Sequence, residues 1–150
     1  MGRAHPLFAA FERWLALPAS RVGVDDILDV MALPEVARRF GLDAGGMAAL
    51  TALLEESRVA WSLDPAHRAG FGVPAIAEHG FAWALDRMLA GYIMSDAPGA
   101  ADEAVRLPDD TELLPLANIV GDHADALGAL DALLLQVQRL VAQADAVLPV

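Results

Sequence analysis

The sequence predicts an all-α fold, a compact bundle of about six helices of unequal length. Three observations carry this. Apolar residues make up 56% of the chain but aromatics only 6%, so the core must come from Leu, Ala and Val, and Ala and Leu are the strongest helix formers. The apolar positions recur at spacings of three and four, the period of a helix with one buried face. No segment shows the alternation of a half-buried strand.

The elements follow in order. Pro6 to Leu17 reads as a first helix with Leu7, Phe8, Phe11, Trp14 and Leu15 on one face, stopped by Pro18. Asp25 and Asp26 open a short helix to about Met31, where early acids complement the helix N-terminus. Pro34 suits the first turn of another, ending at Phe40 with Gly41 as its C-terminal cap. Asp43 is the expected N-cap of a longer helix to about Arg58, with Met47, Leu50, Leu53 and Leu54 inward. Residues 62–80 are broken by Pro65, Gly70, Gly72, Pro74 and Gly80, so turns and at most one helical turn are expected. Phe81 to Ile93 resumes a helix through Phe81, Leu85, Met88 and Tyr92. Residues 95–111 read as a flexible loop. The last helix is the most regular: Leu127, Leu130, Leu134, Val137, Val141, Ala144 and Leu148, widened by Leu133, Leu140 and Val147, predict burial within a bundle.

A chain of 150 residues suits one helical domain, 1–150, without internal repeats. It has no Cys, which excludes disulfides, thiolate metal sites and cysteine nucleophiles. No apolar run reaches the length of a membrane span, and Met1 to Ala10 shows no signal-peptide pattern; a cytoplasmic protein is expected. The net charge is −11, and all ten basic residues are Arg. Residues 1–95 hold 11 acids and 8 arginines, and residues 96–150 hold 10 acids and 2 arginines. Such a second half repels nucleic acid, whose non-specific binding rests on cations neutralising phosphates.

The stretch from Leu53 to Arg68, LLEESRVAWSLDPAHR, concentrates reactive side chains. Glu55 and Glu56 are adjacent and point apart on a helix, so they cannot share a substrate face. Glu55 and Arg58 have the spacing of a surface ion pair. A Ser57–His67–Asp64 triad lacks the glycines of a nucleophile elbow. Trp61 reads as a core anchor and Asp64–Pro65 as a turn. The four histidines, His5, His67, His79 and His123, include no pair three or four apart, so no metal site is expected. Without Lys or a glycine-rich phosphate loop the chain has no ATPase or nuclease motif, and no cofactor and no catalytic residue are assigned. A small helical enzyme using Asp64, His67 and Glu78 would need a polar pocket and measurable metal binding.

Residues 25–43, DDILDVMALPEVARRFGLD, pair two short helices around Pro34. They resemble a helix-turn-helix, in which Arg38 and Arg39 of the second helix would meet phosphates. The alternative function is therefore a small stand-alone helix-turn-helix DNA-binding regulator.

The blocks from Asp26 to Met94 together resemble an internal region of RecC, the gamma subunit of exodeoxyribonuclease V (the RecBCD helicase–nuclease). In that family a helix ends in a sequence like Glu-Glu-Ser-Gly-Ile-Arg-Trp-Gly-Leu-Asp, matched here by Glu55, Glu56, Ser57, Trp61, Leu63 and Asp64. A Leu-Pro-Ala turn is matched by Val73, Pro74 and Ala75, and a second helix by Leu85, Asp86, Arg87, Leu89, Gly91, Tyr92 and Met94. Arg58 stands where the family often has Gly, Ser62 where it has Gly, and Ala60 where it has Arg.

The resemblance implies a piece of a much longer chain, without catalysis of its own. It would scaffold DNA strand handling in double-strand break repair and homologous recombination. RecB- and RecD-like subunits would be its partners, and DNA would be met through the full complex, with no membrane. It makes Glu55, Glu56, Trp61, Asp64, Pro74, Asp86, Arg87, Gly91 and Tyr92 a structural signature. Should the chain touch DNA itself, Arg38, Arg39, Arg58, Arg68 and Arg87 are the candidate contacts.

Overall fold

The computed structural model describes residues 5–94 and 103–147. Helix α1 (Pro6–Ala16) runs into a 3-10 turn (Leu17–Ala19). Then come α2 (Val24–Met31), α3 (Pro34–Arg39), α4 (Ala44–Ser57), the short α5 (Pro65–Ala69) and α6 (Phe81–Ile93). An antiparallel ribbon of β1 (Val105–Arg106) and β2 (Glu112–Leu113) precedes the long α7 (Asp122–Val147). The all-α reading holds, with seven α-helices among the described residues in place of about six.

Local chemistry sets the helix starts. Pro6, Pro34 and Pro65 occupy first-turn positions, where a missing N–H leaves nothing unsatisfied. Asp43 caps α4 by accepting the Gly46 N–H at 2.8 Å, and Asp64 caps α5 by accepting that of His67 at 2.7 Å. Asp26 reaches back from α2 to the Gly23 N–H at 2.9 Å. Gly41 ends α3 in the left-handed region at φ 70°, a conformation glycine adopts without a Cβ penalty.

Helices α4 and α7 form the most extensively packed pair. Leu50, Leu53 and Leu54 of α4 and Leu130, Leu133, Leu134 and Val137 of α7 are buried in one continuous core. Helix α6 adds Phe81, Ala84 and Met88, and α2 adds Ile27, Val30 and Met31. Each such aliphatic side chain contributes about 1.5–3 kcal/mol by leaving water.

Three expectations are corrected. The apolar face of α1 does not enter the core: Ala10 is buried and Trp14 half-buried, but Phe8 is 64% and Phe11 58% exposed. The helix lies at the edge of the bundle, over α2, α3 and the 3-10 turn. The stripe of α7 is fully buried only as far as Val137; beyond it Leu140, Val141 and Ala144 are half-buried, with Val141 still packed against the core, and Val147 is 76% exposed. Leu148 lies outside the described residues. Finally, of the loop expected over 95–111, residues 95–102 lie outside the described residues, while Val105 pairs with Leu113 and Arg106 with Glu112. Two residues per strand are too few to show an alternating pattern.

Candidate functional site

Trp61 of the signature sits where three segments are laced together by backbone hydrogen bonds. Trp61 forms an isolated antiparallel bridge with Gly23. The Ser62 N–H lies 3.1 Å from both the Arg21 and Val22 carbonyls, while the carbonyls of Ser62 and Leu63 accept the N–H groups of Phe81 and Ala82 at 2.9 Å. The His79 carbonyl accepts those of Ala60 at 2.8 Å and Trp61 at 3.3 Å. The lacing demands left-handed backbone at non-glycine residues: Val22 (φ 52°), Arg58 (φ 58°), Ser62 (φ 77°) and His79 (φ 65°). Ser62 is also fully buried, with no partner for its Oγ.

Arg87 fastens this joint. Its Nη1 donates to the Ser57 carbonyl at 2.8 Å and its Nε to the Leu114 carbonyl at 2.9 Å, while its own carbonyl accepts the Leu116 N–H at 2.9 Å. Its guanidinium also lies 4.7 Å from the ring centre of Trp83. Burial, and then the charge of nearby Arg58, pull its pKa below the ordinary value. Among the described residues Arg87 forms no ion pair with Glu55 or Glu56. The two glutamates are exposed, and the guanidinium faces carbonyls instead. The Glu55–Arg58 pair is absent as well, since Arg58 is the left-handed C-cap of α4 and turns away from the helix face. One turn on, Gly91 lets the Leu116 backbone lie against α6; a Cβ there would collide with the Leu116 carbonyl.

Trp61 is half-buried, which corrects its reading as a core anchor. It stands between charges: the Arg21 guanidinium is 5.3 Å and that of Arg68 4.9 Å from its ring centre, and Phe71 meets it edge-on at 5.8 Å. Arg68 is buried, donates Nη2 to the Trp61 carbonyl at 3.2 Å and leaves Nε without a partner. His79 tilts against Trp83 at 5.2 Å and its Nδ1 contacts the Arg58 carbonyl at 2.8 Å. Three of the candidate contacts, Arg58, Arg68 and Arg87, thus gather around Trp61 and Trp83. Arg38 and Arg39 are exposed in the last turn of α3, where Arg39 borders a groove of about 930 Å³ between α1, α3 and α7. Of the other signature residues, Pro74, Asp86 and Tyr92 are exposed. Partial desolvation of its carboxyl against the helix surface raises the pKa of Asp86.

Sequence reasoning missed Arg21, Phe71 and His79 as members of this cluster. Arg21 and Phe71 reach Trp61 from forty residues before it and ten after it, and no local spacing announces such a meeting.

The catalytic alternatives are not assembled. Ser57 is buried and donates to the Leu54 carbonyl at 3.1 Å. His67 Nδ1 accepts the Leu63 N–H at 3.3 Å, and Asp64 is occupied as a helix cap. Burial holds the His67 pKa down, against the opposing pull of Asp64 and Asp145. Among the described residues no group of three or more His, Asp or Glu stands close enough to hold a metal ion. No helix among them is long and apolar enough to cross a membrane.

The family described as RecBCD enzyme subunit RecC fourth domain matches residues 4–149. The chain is 33% identical over 125 residues to RecBCD enzyme subunit RecC of Escherichia coli K12, covering 83% of this chain and 11% of that protein. The same subunit of Mycobacterium tuberculosis is 26% identical over 146 residues, which is 96% of this chain and 13% of the relative. That of Mycolicibacterium smegmatis is 32% identical over 94 residues. The chain thus spans about a tenth of the length of these relatives. With the match to the fourth domain running across nearly all of its length, the chain belongs to the RecC family.

Proposed function

We propose that this chain serves as a non-catalytic helical unit of a RecC-like exodeoxyribonuclease V gamma subunit, a scaffold for DNA strand handling in double-strand break repair and homologous recombination. The observation that carries the reading is the coincidence of the family match over residues 4–149 with a joint in which the signature residues Arg87, Gly91 and Asp64 serve backbone geometry. A unit of this kind transmits position between neighbours without reacting. RecB- and RecD-like subunits are its partners in this reading, DNA is met within the assembled complex, and the compartment is the cytoplasm.

The test is an exchange. The matching segment of a full-length RecC relative is replaced by this chain, and co-purification with the RecB and RecD subunits is measured together with ATP-dependent degradation of linear duplex. Assembly with retained degradation is expected. A chimera that is protease-resistant and folded but does not associate with RecB would refute the scaffold reading.

A further inference from the structure

We propose that the groove between α1, α3 and α7 is the seat of an amphipathic helix from the remainder of a RecC-length subunit, with large apolar side chains over Gly128 and a basic flank towards Glu35 and Asp125. This rests on the reading above and names a surface through which the unit is held.

Helix α1 turns its apolar side outward. Leu7, Phe8, Phe11 and Leu15 share one face and are at least half exposed, while Ala10 is buried and Trp14 half-buried. Single exposed apolar residues are ordinary, but a contiguous apolar face marks a surface that something covers. Here the face continues into a groove of about 930 Å³, with Leu7 and Phe11 on one wall and Val36 and Phe40 of α3 on the other. Its floor is a row of small residues on α7, Ala124, Gly128 and Ala132, which stand four apart and so line up along the helix. A Cβ at Gly128 would meet no atom within 4 Å, so the fold of this chain leaves that position open. Facing surfaces pack well where large side chains are set against small ones. The occupant is a helix, because the walls and floor are helices whose backbone groups are already paired. An extended segment would find no edge to bond, whereas an amphipathic helix needs only the groove.

Charge and chain length narrow its source. Among the described residues the groove is lined by three charged side chains, Glu35, Arg39 and Asp125, and none of them takes part in an ion pair. Two carboxylates against one guanidinium favour a basic flank on the occupant. A second copy of this chain, itself at −11, would add like charge to like. The sparse charge also favours a permanent contact, since interfaces that stay closed are more apolar than those that open and close. The chain spans 11% and 13% of two RecC relatives, so most of such a subunit lies outside it. A helix of the same polypeptide is present at high effective concentration. A groove left open until another subunit arrived would expose apolar surface throughout folding.

The experiment exploits the absence of cysteine from the chain. Gly128→Cys on the groove floor and Phe8→Cys on the face of α1 are made in the isolated chain and in the exchange chimera described above. Thiol modification by a maleimide is followed peptide by peptide, relative to the same cysteine in urea. In the isolated chain both cysteines should react freely. In the chimera expressed without RecB or RecD, both should react about tenfold more slowly or less, because a covered site must open first. Unchanged rates in the chimera, or slowing that arises only when RecB or RecD is added, overturn the proposal. Slowing in the isolated chain that grows with its concentration assigns the groove to a second copy and overturns it as well. Thermal melts verify that the cysteine variants fold. Should the chimera not fold, the same cysteines at the matching positions of the unaltered relative give the reading. A chimera that hides the groove but does not associate with RecB would keep this inference and remove the scaffold reading. One that associates with RecB while the groove stays reactive does the reverse.

Discussion

Arg87 donates its Nη1–H to the carbonyl of Ser57 at 2.8 Å, so a side chain of α6 closes the end of α4. The carbonyls of a last helical turn have no partner within the helix and carry the negative end of its dipole. A cation there both satisfies a hydrogen bond and complements the dipole. The same guanidinium reaches the Leu114 carbonyl at 2.9 Å, so one residue ties three parts of the chain. We expect Arg87→Ala to lower stability by about 2–4 kcal/mol, the loss of two charged hydrogen bonds with their acceptors left dry. Arg87→Lys should recover only part of this, because an ammonium cannot span two separate carbonyls as a fork does. Urea denaturation of the two variants checks both values.

Gly91 has a steric role. The N–H of Leu116 bonds to the Arg87 carbonyl at 2.9 Å, which draws the Leu114–Leu116 segment onto the surface of α6. Any Cβ at 91 would meet the Leu116 carbonyl. Gly91→Ala ordinarily strengthens a helix by about 1 kcal/mol. Here we expect the opposite sign, a loss of about 3 kcal/mol from forced displacement of that segment. A fall in the urea midpoint checks it; an unchanged or higher midpoint would show that the segment can lift away freely.

The helices were legible where periodicity and caps agreed. Asp43, Pro34 and Gly41 each take the local role that their spacing announces, whereas Asp64, read as the start of a turn, caps the short helix α5. The stripe of α7 was legible as a helix, but its burial was not, since burial depends on what covers Val141 and Val147 rather than on the stripe itself. Helix α1 makes the same point: Leu7, Phe8, Phe11 and Leu15 share a pattern with buried helices, yet all four are at least half exposed. The Glu55–Asp64 block stood out because its residue types resemble a family pattern, which said nothing of which side chains do the fastening. Its working parts, the Arg87 clasp and the meeting of Arg21 with Trp61, join residues 30 and 40 positions apart. Only the fold brings such pairs together.

Two departures from the pattern the sequence resembles carry backbone strain. Arg58 (φ 58°) and Ser62 (φ 77°) occupy left-handed conformations at the two positions where the resemblance implies glycine. A side chain there costs about 1–2 kcal/mol. At Ser62 a buried hydroxyl without a partner adds a desolvation cost. Ser62→Gly should therefore raise stability by about 1 kcal/mol or more. Ser62→Ala removes the hydroxyl but keeps the strain, and should gain less. Arg58→Gly should gain about 1 kcal/mol in stability while weakening any nucleic-acid contact. Thermal melts of the three variants separate the two contributions.

His67 makes stability depend on pH in a defined direction. Burial holds its folded pKa below the ordinary 6.5, and its Nδ1 accepts the Leu63 N–H, a role open only to an unprotonated nitrogen. Between the folded and unfolded pKa values the unfolded chain binds more protons, so stability rises with pH there. The contribution is fully present above 6.5 and is lost as pH falls through the depressed folded value. His67→Asn keeps an acceptor near the Nδ1 position and does not titrate. We expect the urea midpoint of the unaltered chain to fall more steeply than that of His67→Asn as pH is lowered from neutrality towards 5. Parallel curves would mean that protonated His67 is accommodated without loss, and that the contact between Leu63 and His67 contributes nothing to the fold.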